Sequence, residues 1–215
     1  MIYTLPNELI ELILSYLDNS SLLNIYNVTN NTIIYRIVNY RLENRLIKNE
    51  DIIKLNNKPL IDLLLHYNDN YNLLMTYAAK YNHKDLVEFF ISKGANDWHW
   101  GMIRAAQNNH KDLVEFFISK GANNWDEYMV YAAQNNHKEL VEFFISKGAN
   151  DWNSAMSYAA ENNHKDLVDF FISKGAISWN NAMARAAKNN HKDLVEFFIS
   201  KGANNWNSTN SLWLF

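Results

Sequence analysis

No cysteine occurs among the 215 residues. That excludes disulfides, thiolate zinc sites, CxxC redox chemistry and a cysteine nucleophile, and it fits a reducing compartment. Charge of one sign is not in excess either. The formal net charge is -3, without a run of like charges in either half, so the basic face that a nucleic-acid binder needs is missing. Long apolar runs are absent too: nothing approaches the roughly 18 residues of a membrane span. Met1–Leu17 is apolar in places, but Glu8 and Glu11 interrupt it and no basic n-region precedes it, so it does not read as a signal peptide. The expectation is an intracellular, soluble protein that meets neither nucleic acid nor membrane. Proline is nearly absent, at two residues. With the heavy use of Asn, Ile and Lys, this is the bias an AT-rich genome produces, and it speaks of origin rather than mechanism.

What is present is a folding composition, 48% hydrophobic, and a period. Trp98, Trp125, Trp152, Trp179 and Trp206 recur every 27 residues, as do His83, His110, His137, His164 and His191, and Gly94, Gly121, Gly148, Gly175 and Gly202. Five copies run Tyr71–Asp97, Trp98–Asn124, Trp125–Asp151, Trp152–Ser178 and Trp179–Asn205, and a sixth begins at Trp206. A period between about 20 and 50 residues marks a solenoid, whose units bury their apolar faces only against neighbours.

Each unit reads as two short helices. In the fourth, Asn153–Glu161 places Met156, Ala159 and Ala160 at i, i+3, i+4. The stretch His164–Lys174 places Leu167, Val168, Phe171 and Ile172 on one amphipathic stripe. Val168, Phe171, Ile172 and Ala159, with their equivalents, are the expected core. Gly175 reads as the left-handed residue that ends the second helix. Asn162 and Asn163 are placed to close one helix and open the next, with Asp166 completing a box-like cap.

The run Met156-Ser157-Tyr158-Ala159-Ala160-Glu161-Asn162-Asn163-His164-Lys165-Asp166-Leu167-Val168, with Gly175-Ala176, resembles the ankyrin pattern L-H-x-A-A-x-x-G-H-x-x-x-V…G-A. The resemblance implies an all-α, ankyrin-type solenoid of stacked helix pairs. Ankyrin units run to about 33 residues; the shortfall falls where that family projects a β-hairpin finger. Fingers are therefore expected to be absent, with a tight, Trp-bearing loop in their place. Upstream, Leu60, Leu63 and Leu64 lie on the same grid as Val87, Phe90 and Ile91, with Pro59 in a first turn. This reads as a degenerate cap within a connecting region 41–70. The repeats span 71–205, and 206–215 forms a truncated C-terminal cap with Ser211–Phe215 over the last unit.

The segment 1–40 carries a second resemblance. Leu5-Pro6-Asn7-Glu8-Leu9-Ile10-Glu11-Leu12-Ile13-Leu14-Ser15-Tyr16-Leu17-Asp18 is similar to the opening of an F-box, L-P-x-E-h-x-x-x-I-L-x-x-L-D, continuing through Leu22, Leu23 and Val28. The C-x-x-W that usually follows is missing. The resemblance implies docking on Skp1, which recruits a cullin ubiquitin ligase, through Leu5, Pro6, Glu8, Leu9, Ile13, Leu14, Leu17 and Leu22. From the residues alone, Pro6 can equally start an amphipathic helix that caps the solenoid. The combination resembles the F-box/ankyrin proteins of large DNA viruses of protists, which would place the protein in host cytoplasm.

Chemistry is sparse. Stacked helices sit about 8–10 Å apart whereas zinc–nitrogen bonds are about 2.0–2.1 Å, so the histidine series is expected to hold turns together by hydrogen bonds rather than a metal. The tryptophans read as packing. Lys165, Asp166, Asp169 and Lys174 read as a solvated face with i, i+4 pairing. No nucleophile–base pair or phosphate loop stands out, which points to a binding module without a cofactor. The copies differ mainly at three offsets of the first helix, spaced i, i+4, i+7 on one solvent face. These are Leu73, Tyr77 and Lys80; Trp100, Arg104 and Gln107; Glu127, Tyr131 and Gln134; Ser154, Tyr158 and Glu161; and Asn181, Arg185 and Lys188. Tyr, Trp and Arg anchor protein interfaces, while exposed positions also drift neutrally, and both readings stay open. Two functions remain: a substrate adaptor joining a target protein to a Skp1–cullin ligase, or a non-catalytic scaffold whose N-terminus is only a cap.

Overall fold

The computed structural model describes residues 18–19, 21–23, 32–44 and 46–204. Among them the regular structure is helical throughout, without a strand. Two compact units partition the chain, Met1–Asn96 and Asp97–Phe215. The first holds α1 (Thr32–Glu43), α2 (Asn49–Leu55), α3 (Lys58–Tyr67), α4 (Tyr71–Lys80) and α5 (Lys84–Ser92). The second holds α6 (Trp98–Gln107), α7 (Lys111–Ser119), α8 (Trp125–Gln134), α9 (Lys138–Ser146), α10 (Trp152–Glu161), α11 (Lys165–Ser173), α12 (Trp179–Lys188) and α13 (Lys192–Ser200).

In the second unit, first helices α6, α8, α10 and α12 pack side by side, and each second helix packs on the first helix of its own repeat. The paired alanines permit this approach: Ala105, Ala132, Ala159 and Ala186 are all fully buried. Phe117, Phe144, Phe171 and Phe198 fill the space between layers, each at 0% exposure. In the first unit α4 and α5 form the same kind of pair, and α2 packs against both α3 and α4. Asn57 caps α3 by accepting from Leu60 N–H at 3.1 Å, and Pro59 sits in its first turn. Leu60 and Leu64 are buried below it.

Both helices of a repeat end by the same device. At the end of α11, Gly175 has φ 104°, its N–H donates to Ile172 O at 2.9 Å, and Ala176 N–H donates to Phe171 O at 3.0 Å. That pair of bonds is a Schellman motif, and its positive φ is the reason for glycine. At the end of α10, Asn163 has φ 61°, with Asn163 N–H to Ala160 O at 3.3 Å and His164 N–H to Ala159 O at 2.9 Å. Asn takes the left-handed role at the position where ankyrin repeats use Gly, because its side chain tolerates that region better than other L-residues.

Four sequence expectations are corrected. Asn163 does not cap the second helix: it is the left-handed terminator of the first, while His164 occupies the N-cap without a side-chain cap bond. Trp98, Trp125, Trp152 and Trp179 do not lie in the loop but open the first helices, half-buried; Trp206 lies outside the described residues. Ile172 and its equivalents are half-buried rather than core, because they sit on the flank of a stripe that Phe171 already fills. Lys165 does not pair along its own helix; it pairs with Asp193 of the next repeat at 2.7 Å, since neighbouring second helices bring position 14 beside position 15.

The missing finger is replaced by side chains. Asn153, the second residue of α10, accepts through Oδ1 from Ile177 N–H and Ser178 N–H, both at 2.9 Å. Asp126 accepts in the same way from Asn150 N–H at 2.6 Å and Asp151 N–H at 2.9 Å. Asn72 and Asn180 each accept from the loop that closes their own repeat, at 2.8 Å. A short acceptor on the first helix thus satisfies loop amides that a hairpin would otherwise pair.

Candidate functional site

The surface with the most variable chemistry is the first-helix face, and the repeat frame holds it rigid. The histidines supply much of that frame. His164 Nε2 meets Gln134 O at 3.0 Å, His137 meets Gln107 O at 2.9 Å, and His191 meets Glu161 O at 2.9 Å. Each carbonyl belongs to the last residue of the preceding first helix, a group with no intrahelical donor. The ring therefore ties one repeat to the previous one, a longer reach than the within-turn bond expected from sequence. In the first unit His83 Nε2 lies 3.1 Å from Lys54 O, in the last turn of α2. Among the described residues no three His, Asp or Glu side chains converge closely enough to hold a metal ion.

On this frame, the residues at i, i+4 and i+7 of α6, α8, α10 and α12 form one face. Trp100 is its most exposed aromatic residue, at 49%. One turn on, Arg104 is half-buried; its Nη1 donates to Gln107 Oε1 at 2.9 Å, while its Nε is buried without a partner. Tyr131 and Tyr158 occupy the equivalent position in the next two repeats and are half-buried. Burial pushes the Tyr131 phenol above its ordinary range, and the nearby Glu127 carboxylate adds to this. Arg185 ends the row: its guanidinium lies 3.9 Å over the Tyr158 ring and pairs with Glu161. Burial opposes its charge, but the hydrogen bonds with Glu161 and Tyr158 outweigh it and hold its pKa above the usual range. Ser154 and Gln134 are half-buried, whereas Asn181 and Lys188 are exposed. The central row of this face therefore reads Arg, Tyr, Tyr, Arg.

One repeat departs from the others, and sequence comparison had not singled it out. Where four copies carry the loop-binding Asn or Asp, the second carries His99. Its Nδ1 lies 3.3 Å from the Tyr128 hydroxyl and its Nε2 3.6 Å from Glu127. Asn124 donates to the same Glu127 carboxylate at 2.6 Å. Tyr128 is 1% exposed, and burial raises its phenol pKa. Two residues after His99, Gly101 has no room for a Cβ, which would stand 2.6 Å from Phe117 Cζ. The signal was available at position 99, where His stands in place of the Asn or Asp of the other four copies; the position of Gly101 and Tyr128 varies, with Leu74, Ala155 and Ala182 in the other copies.

In the first unit, Lys80 is engaged with Glu50 at 2.5 Å, and the Tyr81 hydroxyl donates to the same carboxylate at 2.8 Å. Lys80 is held above its usual pKa, chiefly by that hydrogen bond. Leu73 and Tyr77 are half-buried, and Tyr77 borders a cavity of about 520 Å³ lined also by Leu42, Ile47, Leu64 and Tyr67. Of the segment resembling an F-box, Leu5, Pro6, Glu8, Leu9, Ile13, Leu14 and Leu17 lie outside the described residues. Leu22 is described, and it is fully buried within the first unit.

A family model described as ankyrin repeats, three copies to a match, aligns with residues 7–128 and again with 129–210. With nearly the whole length matched, the chain belongs to the ankyrin-repeat family. That membership defines a protein–protein interaction module, of a family whose members are in general non-catalytic scaffolds. A search among curated proteins returns no match. Among the described residues no helix is long and apolar enough to cross a membrane.

Proposed function

We propose that the first-helix face of the repeats captures a target protein, and that the N-terminal segment around Leu5–Asp18 presents that target to a Skp1–cullin ubiquitin ligase in host cytoplasm. The observation that supports capture is the contrast between the two faces of each repeat. The second helices repeat KDLVEFFIS almost unchanged, whereas the first helices vary at Trp100, Arg104, Tyr131, Tyr158 and Arg185. These are residue types that concentrate binding energy. Support for the ligase link is the sequence resemblance of Leu5–Asp18 to an F-box. Its rival is a scaffold whose N-terminus caps the array, and the inward-facing Leu22 favours that reading for the end of the segment.

The two readings separate in one assay. Purified protein and its Leu9→Asp/Ile13→Asp variant are titrated against Skp1. The adaptor predicts micromolar or tighter binding by the parent, lost in the variant while the melting of the repeats is retained, because a solenoid tolerates a terminal defect. An absence of Skp1 binding by the parent removes the ligase link and leaves the scaffold.

A further inference from the structure

The first-helix face of the second unit carries more positive than negative charge, although the chain as a whole is at -3. Arg104, Arg185 and Lys188 stand there against Glu127 and Glu161. Both carboxylates already have partners: Glu127 accepts from Asn124 and lies beside His99, and Glu161 pairs with Arg185. The cations are not equally matched. No carboxylate lies within ion-pair distance of Arg104 among the described residues; its guanidinium donates to the neutral Gln107.

Arg104 and Arg185 occupy the same position in repeats three apart, at the two ends of the Arg-Tyr-Tyr-Arg row. At one end the guanidinium is complete, with a ring beneath it and a carboxylate beside it. At the other it lacks the carboxylate and has a buried Nε without a partner. That Nε is shut off from solvent, so an incoming acid would meet the outer Nη groups, as Glu161 meets Nη1 of Arg185. One helical turn before it stands Trp100, the most exposed large aromatic of the second unit's first helices. An indole and an under-paired guanidinium at i, i+4 form one patch, apolar on one side and cationic on the other.

From this we infer that the target segment bound on this face carries an acidic side chain, Asp or Glu, received by Arg104, next to an apolar side chain that packs on Trp100. The inference rests on the proposal that the first-helix face is the capture surface, and it deepens that proposal by naming the chemistry of the occupant. A carboxylate at Arg104 would reproduce there the arrangement that Glu161 gives Arg185. An acidic partner also meets repulsion from the rest of a net-negative chain, so the cationic patch fixes where it lands as well as how tightly it holds.

The test uses the full chain and a random peptide display library as the probe. Enriched peptides are synthesised and titrated against the parent and the variants Arg104→Gln, Arg104→Lys, Trp100→Ala and Tyr131→Ala, each checked by thermal melting for a folded array. The expected peptides share an acidic residue beside an apolar one. Arg104→Gln should weaken them about tenfold, with Arg104→Lys in between. Exchanging the peptide's acid for its amide should weaken binding to the parent but not to Arg104→Gln. If Trp100→Ala and Tyr131→Ala lose binding while Arg104→Gln keeps it, the acidic partner is refuted and the capture face stands. If no peptide is enriched, or every front-face variant binds as the parent does, both readings fall.

Discussion

Replacing Phe171 by Ala should be among the most damaging single changes in the second unit, and replacing its neighbour Ile172 should not. The two are adjacent in sequence and similar in hydrophobicity, yet Phe171 is 0% exposed whereas Ile172 is half-buried. Phe171 fills the space between the layers of its repeat, so truncation opens a cavity that the close helix pairs cannot collapse. Such a change costs about 3–5 kcal/mol. Ile172 already meets solvent, so its truncation should cost about 1–2 kcal/mol, in proportion to the smaller area lost. For a chain of this length, 1 kcal/mol moves the melting temperature by about 2–4 °C, which predicts a drop of roughly 6–20 °C for Phe171→Ala. The assay is thermal and urea unfolding followed by circular dichroism, with amide exchange to locate the damage. Exchange should accelerate in neighbouring repeats as well, because each repeat is stabilised by its neighbours. Equal shifts for the two variants, or a Phe171→Ala shift near zero, would refute the reasoning.

Other consequences follow from the turns, loops and surface pairs. Asn163→Ala should cost about 1–2 kcal/mol, because Ala must hold a positive φ of 61°; Asn163→Gly should be close to neutral in the same melting assay. Asn153→Ala removes the acceptor shared by two loop amides, so about 1 kcal/mol of stability should be lost, with faster exchange at Ile177 and Ser178. Lys111 holds the Glu139 carboxyl below its ordinary range, and Lys165 does the same for Asp193. Their folded pKa values lie below the unfolded ones, so the pairs stabilise the fold above the usual carboxylate range of about 4 and lose that effect as pH falls through the folded values. Both carboxylates are exposed, so the effect should be small and should shrink further in high salt.

The period made the architecture legible, because each repeat carries the same helix-ending residues at the same offsets: Gly175 and Asn163 announce their turns whatever surrounds them. What stayed hidden depended on neighbours. The reach of His164 to Gln134 O requires knowing how far one repeat stands from the previous one, and spacing along the chain does not supply that. Asn153 was readable only as a helix residue, although its Oδ1 organises the loop 24 residues later. Ile172 was misplaced because a stripe at i, i+1, i+4, i+5 is wider than the contact it makes, and only packing shows which edge Phe171 fills. The variable face was visible as differences between copies, yet its asymmetry was not. That Arg185 is matched by Glu161 and Arg104 by no carboxylate is a matter of side-chain placement across repeats.

The central claim, that partners are taken on the first-helix face, can be tested by site-specific photo-cross-linking. A photoreactive phenylalanine analogue is placed at Tyr158 on that face, or at Glu142 on the exposed side of a second helix, in the 215-residue chain expressed in cells. Discrete protein adducts from position 158 and none from position 142 are predicted. Adducts from position 142 alone, or the same adducts from both positions, would contradict the account.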